Sequence, residues 1–153
     1  MSMKLTSTAF AEGAPIPKQH TGEGADVSPP LEWTGAPAAT KGFALICDDP
    51  DAPMGTWVHW VIYNIPAGAH GLPEHVPANE ALPDGSRQGQ NDFRVTGYRG
   101  PMPPHGKAHR YYFKLYALDF TMELPKKATK ADLEKAMKGH VLAEGSLMGT
   151  YQR

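Results

Sequence analysis

Glycine and proline punctuate this 153-residue chain from one end to the other, 16 of the first and 15 of the second, and leave little room for long helices. Proline removes a backbone donor and fixes φ, while glycine weakens the interior of any regular element. Together they make about a fifth of the residues, short of the roughly 25–30% that marks low complexity. The pattern therefore implies many short strands joined by long, stiff loops. A chain of this length suits one domain, residues 1–153, around one core.

The strand candidates stand out between these breaks. Phe43 to Asp48 is an apolar run bounded by Gly42 and Pro50, the mark of a buried strand. Trp57 to Ile65 is β-branched and aromatic and ends at Pro66, so it reads as a strand covered on both faces, with Trp57, His59, Val61 and Tyr63 sharing one of them. In His109 to Leu118, strict alternation puts His109, Tyr111, Phe113, Leu115 and Ala117 toward the core and Arg110, Tyr112, Lys114 and Tyr116 on the other side.

Residues 10–42 read as ordered loop with short strands, and residues 66–92 as a long surface loop with turns. One helix is firm: Thr129 as N-cap with Asp132 three residues on, Leu133, Ala136 and Met137 at helical spacing, and Gly139 just past the end. Gly145 and Gly149 make the segment from His140 to Arg153 a closing strand rather than a second helix.

Net charge is −1 and basic and acidic residues are mixed, so no footprint for nucleic acid appears. Lys126, Lys127, Lys130, Lys135 and Lys138 are interrupted by Asp132 and Glu134 and read as a solvated helix face. The single cysteine, Cys47, excludes an internal disulfide, and no stretch is apolar and long enough for membrane insertion or a signal peptide. The compartment expected on these grounds is the cytoplasm.

Three clusters concentrate chemistry. Asp48-Asp49-Pro50-Asp51-Ala52-Pro53 sets three carboxylates in four positions, which a chain tolerates only if they are solvated, hydrogen-bonded to backbone, or facing a cation or histidine. His59 lies inside an aromatic strand, where a buried imidazole needs a partner whether it is structural or functional. A rigid loop from Gly97 through Gly100-Pro101-Met102-Pro103-Pro104 leads to His109 and Tyr111, delivered at i and i+2 to one strand face. Two imidazoles, a phenol and backbone N–H groups freed by the Gly100 turn would suit an anion. Asp49, repelled by an anion, would instead hold one histidine's tautomer or raise its pKa.

Asp49-Pro50-Asp51-Ala52-Pro53 followed by Trp57-x-His59, and Gly100-Pro101 through Pro104-x-Gly106 to His109-Arg110-Tyr111, resemble the two signature motifs of the phosphatidylethanolamine-binding proteins, in their bacterial, Raf-kinase-inhibitor-like branch. Ser28-Pro29-Pro30-Leu31-Glu32-Trp33 and the closing Gly149-Thr150-Tyr151 are similar to the same family. The resemblance implies a mainly β fold, a Greek-key sandwich of two sheets with one or two short helices, and a small pocket for phosphate- or carboxylate-bearing ligands. Carried over by position, the ligand-binding residues are Asp49, Pro53, Trp57, His59, Gly100, Pro101, His109 and Tyr111. Asp51 would brace its turn by accepting backbone hydrogen bonds, and Arg110, on the opposite strand face, would form an ion pair.

Only Met54-Gly55-Thr56 separates Pro53 from Trp57, where animal and plant members carry a longer insertion. The chain stopping at Arg153 also implies that the C-terminal helix bordering the pocket in animal members is missing. Ala52-Pro53 is the bond to inspect for a cis form.

The leading functional expectation is non-enzymatic binding of a small anion, such as a phospholipid headgroup or phosphorylated metabolite, with no cofactor and no metal. A protein-interaction module that modulates a kinase or protease is a second reading. A hydrolase or Zn²⁺ enzyme using Asp49, His59 and His109 is a third. Against it, Gly145-Ser146-Leu147-Met148-Gly149 places serine one position early for a nucleophile elbow, and no His-Glu-x-x-His is present. Tyr112 and Tyr116, expected to be exposed, leave homodimer formation open.

Overall fold

The computed structural model describes residues 2–153. In chain order the elements are β1 (Lys4–Thr6), β2 (Leu31–Thr34), β3 (Gly42–Asp49), β4 (Trp57–Pro66), β5 (Gly71–Leu72), β6 (Arg87–Gln88), β7 (His109–Leu118), α1 (Lys130–Met137) and β8 (Val141–Tyr151). They form a three-stranded sheet in the order β1-β2-β5 and a five-stranded sheet in the order β6-β4-β3-β7-β8, every pair antiparallel.

Why β3 is buried along its whole length follows from what covers each side of the large sheet. Phe43, Leu45 and Cys47 point into the sandwich, where Leu5, Leu31, Trp33 and Leu72 of the small sheet meet Trp60, Ile62, Phe113 and Leu115. Ala44 and Ile46 point outward with Val61 and Tyr63, and α1 covers them with Leu133 and Met137. Each fully buried large apolar side chain is worth about 1.5–3 kcal/mol relative to exposure, so both layers contribute to holding β3 in place.

The helix starts where the sequence places it. Thr129 Oγ1 accepts from the Asp132 N–H and the Asp132 carboxylate accepts from the Thr129 N–H, a complete capping box. Gly139, just beyond, has φ +84°, a conformation that suits glycine at a helix end. None of the described helices is long and apolar enough to cross a membrane.

The alternation expected along β4 fails. Cys47 pairs with Trp60 and the next residue, Asp48, with Val58, so His59 is an extra residue in a β-bulge. A second irregularity lies between Ile62 and Ile65, where Asn64 takes φ +54° and exchanges two hydrogen bonds with the Met122 backbone. Val61 and Tyr63 therefore face α1, while His59 turns to the sandwich side and meets the Tyr111 ring edge-on at 5.2 Å. On β7, which pairs with β8 without a break from His109 to Ala117, the expected faces hold.

Two further expectations are corrected. Residues 66–92 are not simply surface loop: they contribute β5 to the small sheet and β6 to the large one, and bury Leu72, Ser86, Gln88 and Asn91. Lys130 is not a solvated helix residue either, because its ammonium lies 2.7 Å from the buried Asp48 carboxylate. Among the described residues no peptide bond is cis, so Ala52–Pro53 is trans.

The outer edge of β8 is occupied by chain from the other end of the sequence. Met3 N–H donates to Glu144 O, Gly13 N–H to Met148 O, and Ile16 N–H to Thr150 O, while Thr150 N–H donates to Ala14 O. Gly149 permits this closeness, since a β-carbon there would lie 2.5 Å from Ile16 and 2.7 Å from Phe10.

Candidate functional site

The three carboxylates after β3 meet three different fates, which is how the chain tolerates them so close together. Asp48, at the outer face, sits 2.7 Å from Lys130 and 3.2 Å from Lys114. Asp49, on the opposite face and also buried, accepts from the Asp51 N–H with one oxygen and from His109 Nδ1 with the other, each at 2.7 Å. Asp51 accepts from the Arg110 backbone N–H and from its guanidinium, at 2.8–2.9 Å.

Those hydrogen bonds from Arg110 hold Asp51 down at about 2. Because its folded value is depressed, the pair contributes above about pH 4, the unfolded value, and is lost as pH falls through the folded one. Both groups are largely at the surface, so the pair serves to tie the turn to the start of β7 more than to stabilise the whole fold.

On the inner side of this turn a cavity of about 220 Å³ opens at the end of the sandwich, its wall almost wholly apolar. Asp49, Pro53, Trp57, His59, His109 and Tyr111 all line it, together with Met54, Phe93, Met102 and Pro103. The structure thus brings six of the eight motif-derived residues to one wall. Gly100 and Pro101 lie behind it, and the Gly100 N–H expected to be free is taken by Asp26 Oδ1 at 2.7 Å. Pro101 offers its carbonyl to the Gly22 N–H, which fastens the second motif to the segment around residues 18–27.

The bulge in β4 sets the chemistry of His59. Its Nδ1 lies 2.6 Å from the Arg99 carbonyl, an acceptor only, so the ring hydrogen sits on Nδ1 and the lone pair on Nε2. Burial holds the imidazole below its ordinary pKa, against the opposing pull of the Arg99 hydrogen bond and the Asp49 charge. Phe93 packs edge-on against both Trp57 and His59, at 5.5 and 5.4 Å.

His109 is arranged in the same sense. Asp49 takes Nδ1–H, leaving Nε2 without a partner in the protein. Tyr111 is buried between them, and burial, then the nearby Asp49 charge, keep its hydroxyl protonated far above the usual phenol range. The cavity lining carries no lysine or arginine; the Arg99 guanidinium instead lies over the Phe93 ring, 5.6 Å from its centre.

Sequence reasoning missed Asp26, Phe93 and the last two residues. Phe93 lies in a stretch with no periodicity to read, and Asp26 is distant in sequence from the Gly100 it binds. Gln152 donates to the Gly106 carbonyl at 2.6 Å and the Arg153 guanidinium to that of Pro103, which holds the 103–106 loop at the cavity rim. Among the described residues no three His, Cys, Asp or Glu side chains converge closely enough to hold a metal ion.

The family model for phosphatidylethanolamine-binding protein matches residues 6–152. The chain is 53% identical to a UPF0098 protein of Methanothermobacter thermautotrophicus over 151 residues, 99% of each chain. It is 44% identical to one of Aquifex aeolicus, over 99% of this chain and 89% of that one. Among solved structures, E. coli YbcL, a member of the mammalian PEBP family, superposes with a TM-score of 0.91 at 33% identity, covering 100% and 99% of the two chains. A phosphatidylethanolamine-binding protein homolog from Chlamydia trachomatis gives 0.90 at 39% identity, covering 99% and 98%.

Proposed function

The chain belongs to the phosphatidylethanolamine-binding protein family, and from that premise we propose that it binds a small oxyanion in the Asp49/His59/His109/Tyr111 cavity without chemically transforming it. Family membership supports a ligand-binding or modulating role in general. The observation that carries the finer reading is the buried Asp49–His109 pair on the wall of a 220 Å³ cavity.

Asp49 accepts from the Asp51 N–H with one oxygen and from His109 with the other, so it serves His109 rather than the ligand. With Nδ1–H fixed in this way, protonated His109 presents Nε2–H to the cavity as a charged donor, the stronger kind of hydrogen bond. The Tyr111 hydroxyl, which hydrogen-bonds to Asp49, lies beside it and adds a neutral donor when it turns to the ligand. Pro53, Trp57 and Phe93 exclude water around these groups, which strengthens each interaction. No serine, threonine or cysteine lines the cavity.

A ligand that binds only the folded chain must raise its melting temperature. Phosphate, phosphoethanolamine and acetate are each expected to do so in the wild type. His109→Ala is expected to lose most of the shift. A shift retained in full by His109→Ala counts against the reading.

A further inference from the structure

We propose that the cavity takes its oxyanion with one acidic hydrogen still attached and donated to His59 Nε2, so that a phosphate monoester binds as its monoanion and a sulfate ester is rejected. The inference rests on the anion reading above and specifies its ligand.

The peptide linking Arg99 to Gly100 is gripped on both sides: Asp26 Oδ1 takes its N–H at 2.7 Å, and its C=O takes the His59 Nδ1–H at 2.6 Å. Asp26 itself sits at φ +58° and Gly100 is packed so closely that no side chain fits. The peptide therefore cannot turn to offer His59 a donor in place of an acceptor. This locks the neutral imidazole in the tautomer whose lone pair is on Nε2, and no donor of the protein is hydrogen-bonded to Nε2 although the residue is buried on the cavity wall.

A fully ionised oxyanion brought against that lone pair meets repulsion in a water-poor site. An oxyanion with one O–H meets an acceptor instead. The wall then offers a matching set: donors from Tyr111 and from protonated His109, and one acceptor, His59.

Charge points the same way. The ionisable groups facing His59 are Asp49 from β3, His109 and Tyr111 from β7, and Asp26 behind the Arg99–Gly100 peptide. Asp49 and Asp26 are negative, His109 supplies at most one positive charge, and neither lysine nor arginine lines the cavity. A monoanion suits this balance and a dianion does not, which selects the phosphate's protonated form; a sulfate ester is also a monoanion, so its rejection rests on the missing O–H alone. Phosphate monoesters lose their second proton near pH 6, whereas sulfate esters have no such proton to keep.

Phenyl phosphate and phenyl sulfate are nearly the same shape and test the rule by calorimetry. At pH 8 the phosphate is expected to bind with uptake of about one proton more than the sulfate, whose uptake reports the protein's own groups, both read from the dependence of the heat on buffer ionisation, and the sulfate to bind about 10- to 100-fold more weakly. His59→Gln, whose amide can present a donor, is expected to narrow the gap. Equal affinities in the wild type, or phosphate binding with no more proton uptake than the sulfate, would overturn the proton rule while leaving the anion cavity intact. Failure of both ligands at every pH from 5 to 8 would overturn the anion reading and the rule together.

Discussion

Gly100→Ala is expected to destabilise the protein by about 3 kcal/mol, near the upper end for overpacking, and to abolish the ligand-dependent rise in melting temperature. A β-carbon at this position would overlap the His20 carbonyl oxygen and lie 2.8 Å from both Asp26 Oδ1 and Thr21 Cα. Two of these neighbours are backbone, so relief requires the 18–27 segment to move away from the second motif. That movement breaks the Asp26 bond to the Gly100 N–H and frees the Arg99 carbonyl that orients His59. Urea denaturation measures the loss directly. Gly68→Ala is the control, since nothing lies within 4 Å of a β-carbon there, and its midpoint should not fall. A Gly100→Ala protein with a wild-type midpoint would show that the segment yields freely and that the grip on the peptide is dispensable.

Asp49→Ala is expected to weaken phenyl phosphate binding by about 10- to 100-fold, the usual cost of removing a carboxylate that orients a working histidine. It also leaves the Asp51 N–H and His109 Nδ1 without their acceptor in a buried turn, for a stability loss of about 2–4 kcal/mol. Binding is therefore best measured by calorimetry well below the variant's melting temperature. Asp49→Asn separates the two effects, because an amide oxygen can still accept one of the two hydrogen bonds while the charge is gone. It should recover more stability than affinity. If Asp49→Ala binds phenyl phosphate as tightly as wild type, Asp49 has no part in presenting His109.

These two residues mark what is legible in a sequence of this kind. The strand β7 could be read to the residue because alternation is a reliable guide wherever the pairing is unbroken, as it is from His109 to Ala117. In β4 the same rule placed Val61 and Tyr63 beside His59, and a bulge at His59 put them on opposite faces. A bulge leaves no mark in apolar periodicity, and Trp57-Val58-His59-Trp60 is apolar or aromatic enough to suit either face. Gly100 was visible as a special position, but glycine alone does not say whether it frees an N–H or admits a close neighbour; Asp26 decides that. The strands β5 and β6 are two residues each, too short for any pattern, and exist because longer neighbours supply their partners. The pairing of Lys130 with Asp48 was hidden because charge along a helix gives no hint of a buried carboxylate on a distant strand.

The closure of β8 has a consequence for how the chain is made. Its two neighbours are β7 and the segment from Met3 to Ile16, so residues synthesised early are completed by residues synthesised much later. Until Val141 to Tyr151 has been synthesised, Met3, Gly13 and Ile16 lack the carbonyls they finally bond to, and the inner face of β7 lacks Leu147. Contacts between such distant parts of a chain must close a long loop before they gain anything, which slows folding. Until β8 docks, the sheet keeps an open edge on β7, and an unpaired strand edge of this kind makes a partly folded chain prone to associate with others.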